Sequence, residues 1–116
     1  MYLGGSCGQS NLSSTAEPVG TIDVALAHAT RLMQGSPELA AEQASEILKA
    51  APGHPVASLL LGSASRITGK TDAALHVLEQ LARAQPNWAA AHYELGLALI
   101  SAGRPAIAAL RRAVTL

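Results

Sequence analysis

The sequence repeats itself with a period of 34 residues. Shifted by that interval, Gly35, Gly69 and Gly103 coincide, as do Ala40, Ala74 and Ala108. Pro52 falls on Pro86, Leu61 on Leu95, Gly62 on Gly96 and Lys49 on Arg83. A period of this length is one supersecondary unit that cannot bury its apolar face alone, so units must stack on their neighbours. Six helices are expected, over about residues 21–34, 37–51, 55–68, 72–85, 88–102 and 105–115. Gly35, Gly69 and Gly103 are placed to end the first helix of each pair in a left-handed turn. Pro52 and Pro86 are placed to stop the second. Ser36 followed by Pro37 reads as an N-cap with proline at the first helical position, and Asn87 as the cap of the fifth helix. Gly62 and Ala74 are small where two helices must approach closely.

The third period is irregular. Its segment from Gly103 to Ala108 is two residues short, so Ala106, Leu110 and Ala113 take the roles of Ala74, Leu78 and Leu81, and the coincidence at Ala108 is fortuitous. Pro105 is expected to set the tighter turn as the first residue of the last helix.

Composition narrows the class further. Of 116 residues 49% are hydrophobic but only 3% aromatic, so a core must be built from small aliphatic side chains. Eight basic residues balance eight acidic ones, which leaves no basic excess for nucleic acid. A single cysteine, Cys7, excludes an internal disulfide and a multi-cysteine zinc site. Residues 1–20 are rich in Gly and Ser and end in Pro18 and Gly20, which reads as a flexible leader. The leader has neither the basic start nor the apolar run of a secretory signal. The stretch from Gly4 to Cys7 is similar to a lipoprotein cleavage box but follows no hydrophobic run. No segment approaches the roughly 18–20 apolar residues of a membrane span, and a cytoplasmic protein without membrane contact is expected.

The pattern resembles the tetratricopeptide repeat, whose consensus sets a Leu-Gly pair, a Gly, an Ala and a Pro at fixed positions over about 34 residues. Residues 55–88 carry Leu61-Gly62, Gly69, Ala74, Leu78 and Pro86 in register. Residues 89–116 carry Leu95-Gly96 and Gly103, with Leu99 where an aromatic usually stands. Residues 21–54 keep Gly35, Ala40 and Pro52 but place His28 at the small position and Arg31 at the aromatic one. The resemblance implies an all-α, right-handed α-solenoid of three antiparallel helix pairs. It also implies a protein or peptide ligand, held in a concave groove lined by the first helix of each pair. By position the lining is Ile22, Ala25, Ala29, Leu32 and Met33, then Val56, Leu59, Ser63, Arg66 and Ile67, then Ala90, Tyr93, Leu97, Ile100 and Ser101. The main groove candidates are Leu59, Ser63, Arg66, Ile67, Tyr93, Leu97 and Ile100. The lining is mostly apolar and lacks the Lys/Asn set with which some family members clamp a terminal carboxylate, so an amphipathic helix is the expected ligand.

No constellation for catalysis or metal binding stands out. His28, His54, His76 and His92 lack the paired helical spacing of a zinc site, so no cofactor and no metal are expected. His54, before Pro55, reads as a turn or cap residue, and Trp88 as an aromatic plug between units. Glu38, Glu42 and Glu46 form an acidic stripe on the second helix, read as a solvated face, and Glu46–Lys49 and Glu79–Arg83 read as surface pairs. Residues 1–50 hold five acids and two bases, and residues 51–116 three acids and six bases. The halves are therefore about −3 and +3, a polarity that favours head-to-tail stacking of chains.

A noncatalytic scaffold is the leading expectation. Two others stay open. Ala40 to Leu48, the run from Pro52 to Pro55, and Leu81 to His92 look like the repeat region of certain bacterial repeat-containing sulfotransferases, which implies a repeat fragment without its catalytic domain. Alternatively, the C-terminal helix, with Ile107, Leu110, Val114 and Leu116, joins copies of the chain.

Overall fold

The computed structural model describes residues 18–116, which form six α-helices. These are α1 (Pro18–Leu32), α2 (Pro37–Ala50), α3 (Pro55–Ile67), α4 (Thr71–Ala84), α5 (Ala89–Ser101) and α6 (Ile107–Thr115). Consecutive helices pack as antiparallel pairs. α1, α3 and α5 also approach one another in turn, whereas the Cα atoms of α2, α4 and α6 stay more than 8 Å apart from helix to helix. The first helices thus form one layer and the second helices another, stacked along the period of the sequence.

The core explains the composition. Ten of the fourteen buried apolar residues among those described are alanines, and they recur in register: Ala40, Ala74 and Ala106 in the second helices and entry turn, Ala57 with Ala91 and Ala64 with Ala98 in the first. Leu78 is the largest side chain fully buried, in a cluster with Ala74, Leu75, Leu81, Ala91 and Ala98. Trp88 packs against the same cluster, half-buried, as expected of a plug. Gly62 is where Leu78 needs space: a Cβ there would lie 2.5 Å from Leu78 Cγ. Gly96 does the same for Leu110. The partner of Gly62 is sixteen residues on and that of Gly96 fourteen, so this pairing places the two-residue deletion in the third unit as the sequence implied.

Local geometry departs from expectation at several turns. Gly69 and Gly103 are left-handed, with φ of 85° and 70°. Each is followed by a residue whose N–H reaches back five positions, Lys70 to Ser65 O and Arg104 to Leu99 O, both at 2.8 Å. These are Schellman closures. Gly35 is not left-handed; Ser36 N–H instead donates to Leu32 O at 2.7 Å. Pro37 accounts for the difference, because the residue before a proline is pushed out of the helical region. Ser36 accordingly has φ −145° and ψ 68°, and its hydroxyl makes no cap bond. The left-handed glycine of the α2–α3 turn is Gly53, beside the proline expected to end α2.

α1 begins at Pro18, not after Gly20, since proline fits a first helical turn. Residues 1–17 of the expected leader, Cys7 included, lie outside the described residues. α6 begins at Ile107 with Ala106 as N-cap, so Pro105 stands before the helix, not at its first position. Asn87 does not cap α5; Trp88 holds that place, and the Asn87 side chain accepts a bond from Arg112 Nη2 at 3.1 Å. His54 caps α3 as expected, its Nδ1 accepting from Ala57 N–H at 3.3 Å. The Glu46–Lys49 pair forms at 2.8 Å on an open surface, and that hydrogen bond, then the charge of Glu46, holds the Lys49 ammonium above its usual pKa. The Glu79–Arg83 pair does not form.

Candidate functional site on the first-helix layer

The layer of α1, α3 and α5 carries the expected lining residues, and their exposure divides them. Val56, Ile67, Tyr93 and Ile100 are exposed, an unusual concentration of large apolar side chains for two short helices. Leu59 and Leu97 are half-buried, and Leu59 also packs on the core cluster. Ser63 is buried, as is Ala29 one period earlier, so neither offers a ligand its side chain. Ser101 turns its hydroxyl back onto Leu97 O at 3.1 Å.

Arg66 is the one charged side chain among the groove candidates. Its Nε and Nη2 both donate to Glu94 Oε1, at 3.4 and 3.3 Å, joining α3 to α5. The two side chains are only 22% and 18% exposed. Glu94 was missed because it lies 28 residues from Arg66, outside any local pairing rule. Its signal was a break in the repeat: units one and two carry Leu26 and Leu60 at that position. The pair fixes α3 against α5 and leaves neither charge free for a ligand. Arg66→Leu alone strands a largely covered carboxylate, with an expected loss of about 1–3 kcal/mol. The double variant Arg66→Leu/Glu94→Leu is expected to return to within about 1 kcal/mol of the parent, as read from urea unfolding midpoints.

On the opposite side, α4, α5 and α6 border a second depression with Leu95 and Leu99 in its floor and His92 and Arg112 on its rim. Those rim groups are engaged locally: His92 Nε2 lies 2.8 Å from Pro86 O, and Arg112 holds Asn87. Among the described residues no group of three or more His, Cys, Asp and Glu is placed to hold a metal ion. No described helix is long and apolar enough to cross a membrane.

A family model of the tetratricopeptide repeat matches residues 67–116. No curated protein sequence matches the chain significantly. Among solved structures, a Thermobaculum terrenum O-GlcNAc transferase mutant, K341M, superposes with a TM-score of 0.82 at 27% identity over 88% of this chain. The fold is a tetratricopeptide-repeat-like solenoid. The MamA RS-1 ArsTM double mutant also superposes, with a TM-score of 0.73 at 28% identity over 84% of this chain. The solenoid spans 20% of the transferase chain and 56% of the MamA chain. The family match starts at Ile67, beyond the first unit, where His28 and Arg31 replace the residues the repeat prefers.

Proposed function

We propose that the solenoid is a noncatalytic protein-interaction scaffold whose first-helix layer takes an apolar peptide or amphipathic helix. Tetratricopeptide repeats are generally protein-interaction modules, and both solved relatives fit a repeat scaffold. The observation that carries the finer reading is the exposed set Val56, Ile67, Tyr93 and Ile100 flanking a charge pair that is already satisfied. Such a face favours aliphatic and aromatic ligand side chains at helical spacing over terminal carboxylates or charged tracts.

Helical peptides selected from a displayed library on the immobilised chain are expected to be rich in Leu, Ile and Phe. Their affinity is expected to fall about tenfold or more for Ile67→Ala/Tyr93→Ala, as for truncation of interface anchors. Circular dichroism should show the variant folded, because both residues are exposed. Undiminished binding by that folded variant would count against this face.

A second reading makes the solenoid the repeat portion of a larger transferase. Its support is the 20% coverage of the O-GlcNAc transferase chain; the sulfotransferase form rests on sequence resemblance alone. The coding sequence after Leu116 distinguishes it from a free-standing scaffold.

A further inference from the structure

A depression of about 940 Å³ opens among α1, α2 and α3, with Leu32, Leu39 and Leu61 as its apolar walls and Ser65 lining it from α3. Ser65 is 4% exposed. Thr30, Thr68 and Ser101 each turn their hydroxyl onto the carbonyl four residues back, at 2.8, 2.9 and 3.1 Å. Ser65 could use Leu61 O in the same way, yet among the described residues its hydroxyl has no partner. A buried hydroxyl left unpaired is costly. The repeat does not require one, since Leu99 holds the same place one period later. Glu38, Glu42 and Glu46 of α2 also line the depression. Lys49 engages Glu46, whereas Glu38 and Glu42 are exposed and form no ion pair with a described residue. The basic residues on the rim are His28 and Lys70, the latter at the N-cap of α4, and neither is bridged to these carboxylates.

We propose that this depression is a second peptide site, which takes an arginine side chain of a basic peptide segment. The leucine walls suit the methylene stem of such a side chain, whose charged head stays among polar groups. The Ser65 hydroxyl and the Glu38 and Glu42 carboxylates are acceptors on different elements. A guanidinium offers five donors in a planar fork, an ammonium only three on a compact, strongly hydrated head. Anionic ligands are opposed by the glutamates, and Lys70 on the rim weakens the attraction for a cation. Ser65 is nine residues from Val56 and two from Ile67, which at about 100° per residue puts it on the far side of α3 from both. The site is therefore separate from the exposed apolar face of α3 and α5, and each can be tested without the other.

Fluorescence anisotropy of a labelled, end-blocked tetra-arginine peptide titrated with residues 1–116 tests this. The peptide is expected to bind at low ionic strength and about tenfold more weakly at about 0.5 M salt, where the Debye length is only a few ångströms. Tetralysine is expected to bind about threefold or more weaker than tetra-arginine. Glu38→Gln/Glu42→Gln is expected to weaken binding about tenfold, and Lys70→Gln to tighten it about twofold. Ser65→Ala is expected to weaken binding about three- to tenfold while its urea midpoint stays level or rises, because the hydroxyl has no partner within the fold. Ile67→Ala/Tyr93→Ala is expected to leave tetra-arginine binding unchanged. The proposal is overturned by a parent that does not bind at low salt, or by loss of binding in Ile67→Ala/Tyr93→Ala. Equal affinity for tetralysine, or a Ser65→Ala variant that binds like the parent, would also overturn it, since either means diffuse attraction to an acidic surface. A Ser65→Ala variant destabilised like a core truncation would show that the hydroxyl is partnered in the fold, and the site would lose its inner acceptor.

Discussion

Leu78→Ala is expected to lower the thermal midpoint of the solenoid by about 15–25 °C. Leu78 is the largest side chain wholly removed from solvent, and it stands where α3, α4 and α5 converge. Three of its five buried cluster neighbours, Ala74, Ala91 and Ala98, are alanines, which have no rotamers with which to fill a void. Little collapse is therefore available, which places the substitution in the range of about 3–4 kcal/mol known for leucine truncation in rigid cores. In a domain of this size each kcal/mol moves the midpoint by about 4–8 °C. Leu110→Ala supplies the control. It removes the same group from the same repeat position, but Leu110 is half-buried, so at most about half the loss is expected. Thermal unfolding followed by circular dichroism at 222 nm reads both, and equal losses would show that the cluster around Leu78 is not the stabilising centre.

The same repeat position explains what could be read in advance. Spacing alone located the six helices to within about three residues at each end. It also located the shortened third unit, because Gly96 and Leu110 must meet just as Gly62 and Leu78 do. Small-residue periodicity is a global constraint that every unit obeys, so it survives in the sequence. What could not be read were contacts settled by one local competitor. Gly35 occupies the periodic position of Gly69, yet Pro37 dictates the conformation of Ser36 and a left-handed residue is not needed. Asn87 is a good capping residue by type, but Arg112 reaches it from α6, 25 residues away. At the candidate site the apolar members were legible by register. Glu94, which removes Arg66 from the pool of free charges, belongs to a different unit and appears in no local pattern. Ser63 lies seven residues after the exposed Val56 and four before the exposed Ile67 on α3 but is itself buried, as Ala29 is one period earlier. Repeat position therefore predicts which layer a residue occupies better than how far it reaches from that layer.

The close approach of α3 and α4 makes Gly62→Leu the second large effect. Even one added carbon at residue 62 would lie 2.5 Å from both Leu78 Cγ and Cδ2, and Leu78 has no solvent-facing space into which to retreat. A leucine adds three further carbons, so α3 and α4 must separate or Leu78 must leave its rotamer. Overpacking of this kind costs about 1–3 kcal/mol and occasionally more. The upper end is expected here, because the gain of about 1 kcal/mol from removing a mid-helix glycine offsets only part of it. The decisive measurement is the double variant Gly62→Leu/Leu78→Ala, which moves the bulky group from α4 to α3. If the two positions share one space, the double variant should be more stable than the sum of the single losses by about 1–3 kcal/mol. The first unit already carries the inverted arrangement in its sequence, with His28 at the glycine position and Ala44 at the leucine position. Ala44 is fully buried there while His28 lies exposed, so unit one closes without the knob that anchors unit two. Additive losses in urea unfolding would mean that α3 and α4 respond to the two residues independently, and the shared-space account of this joint would fail.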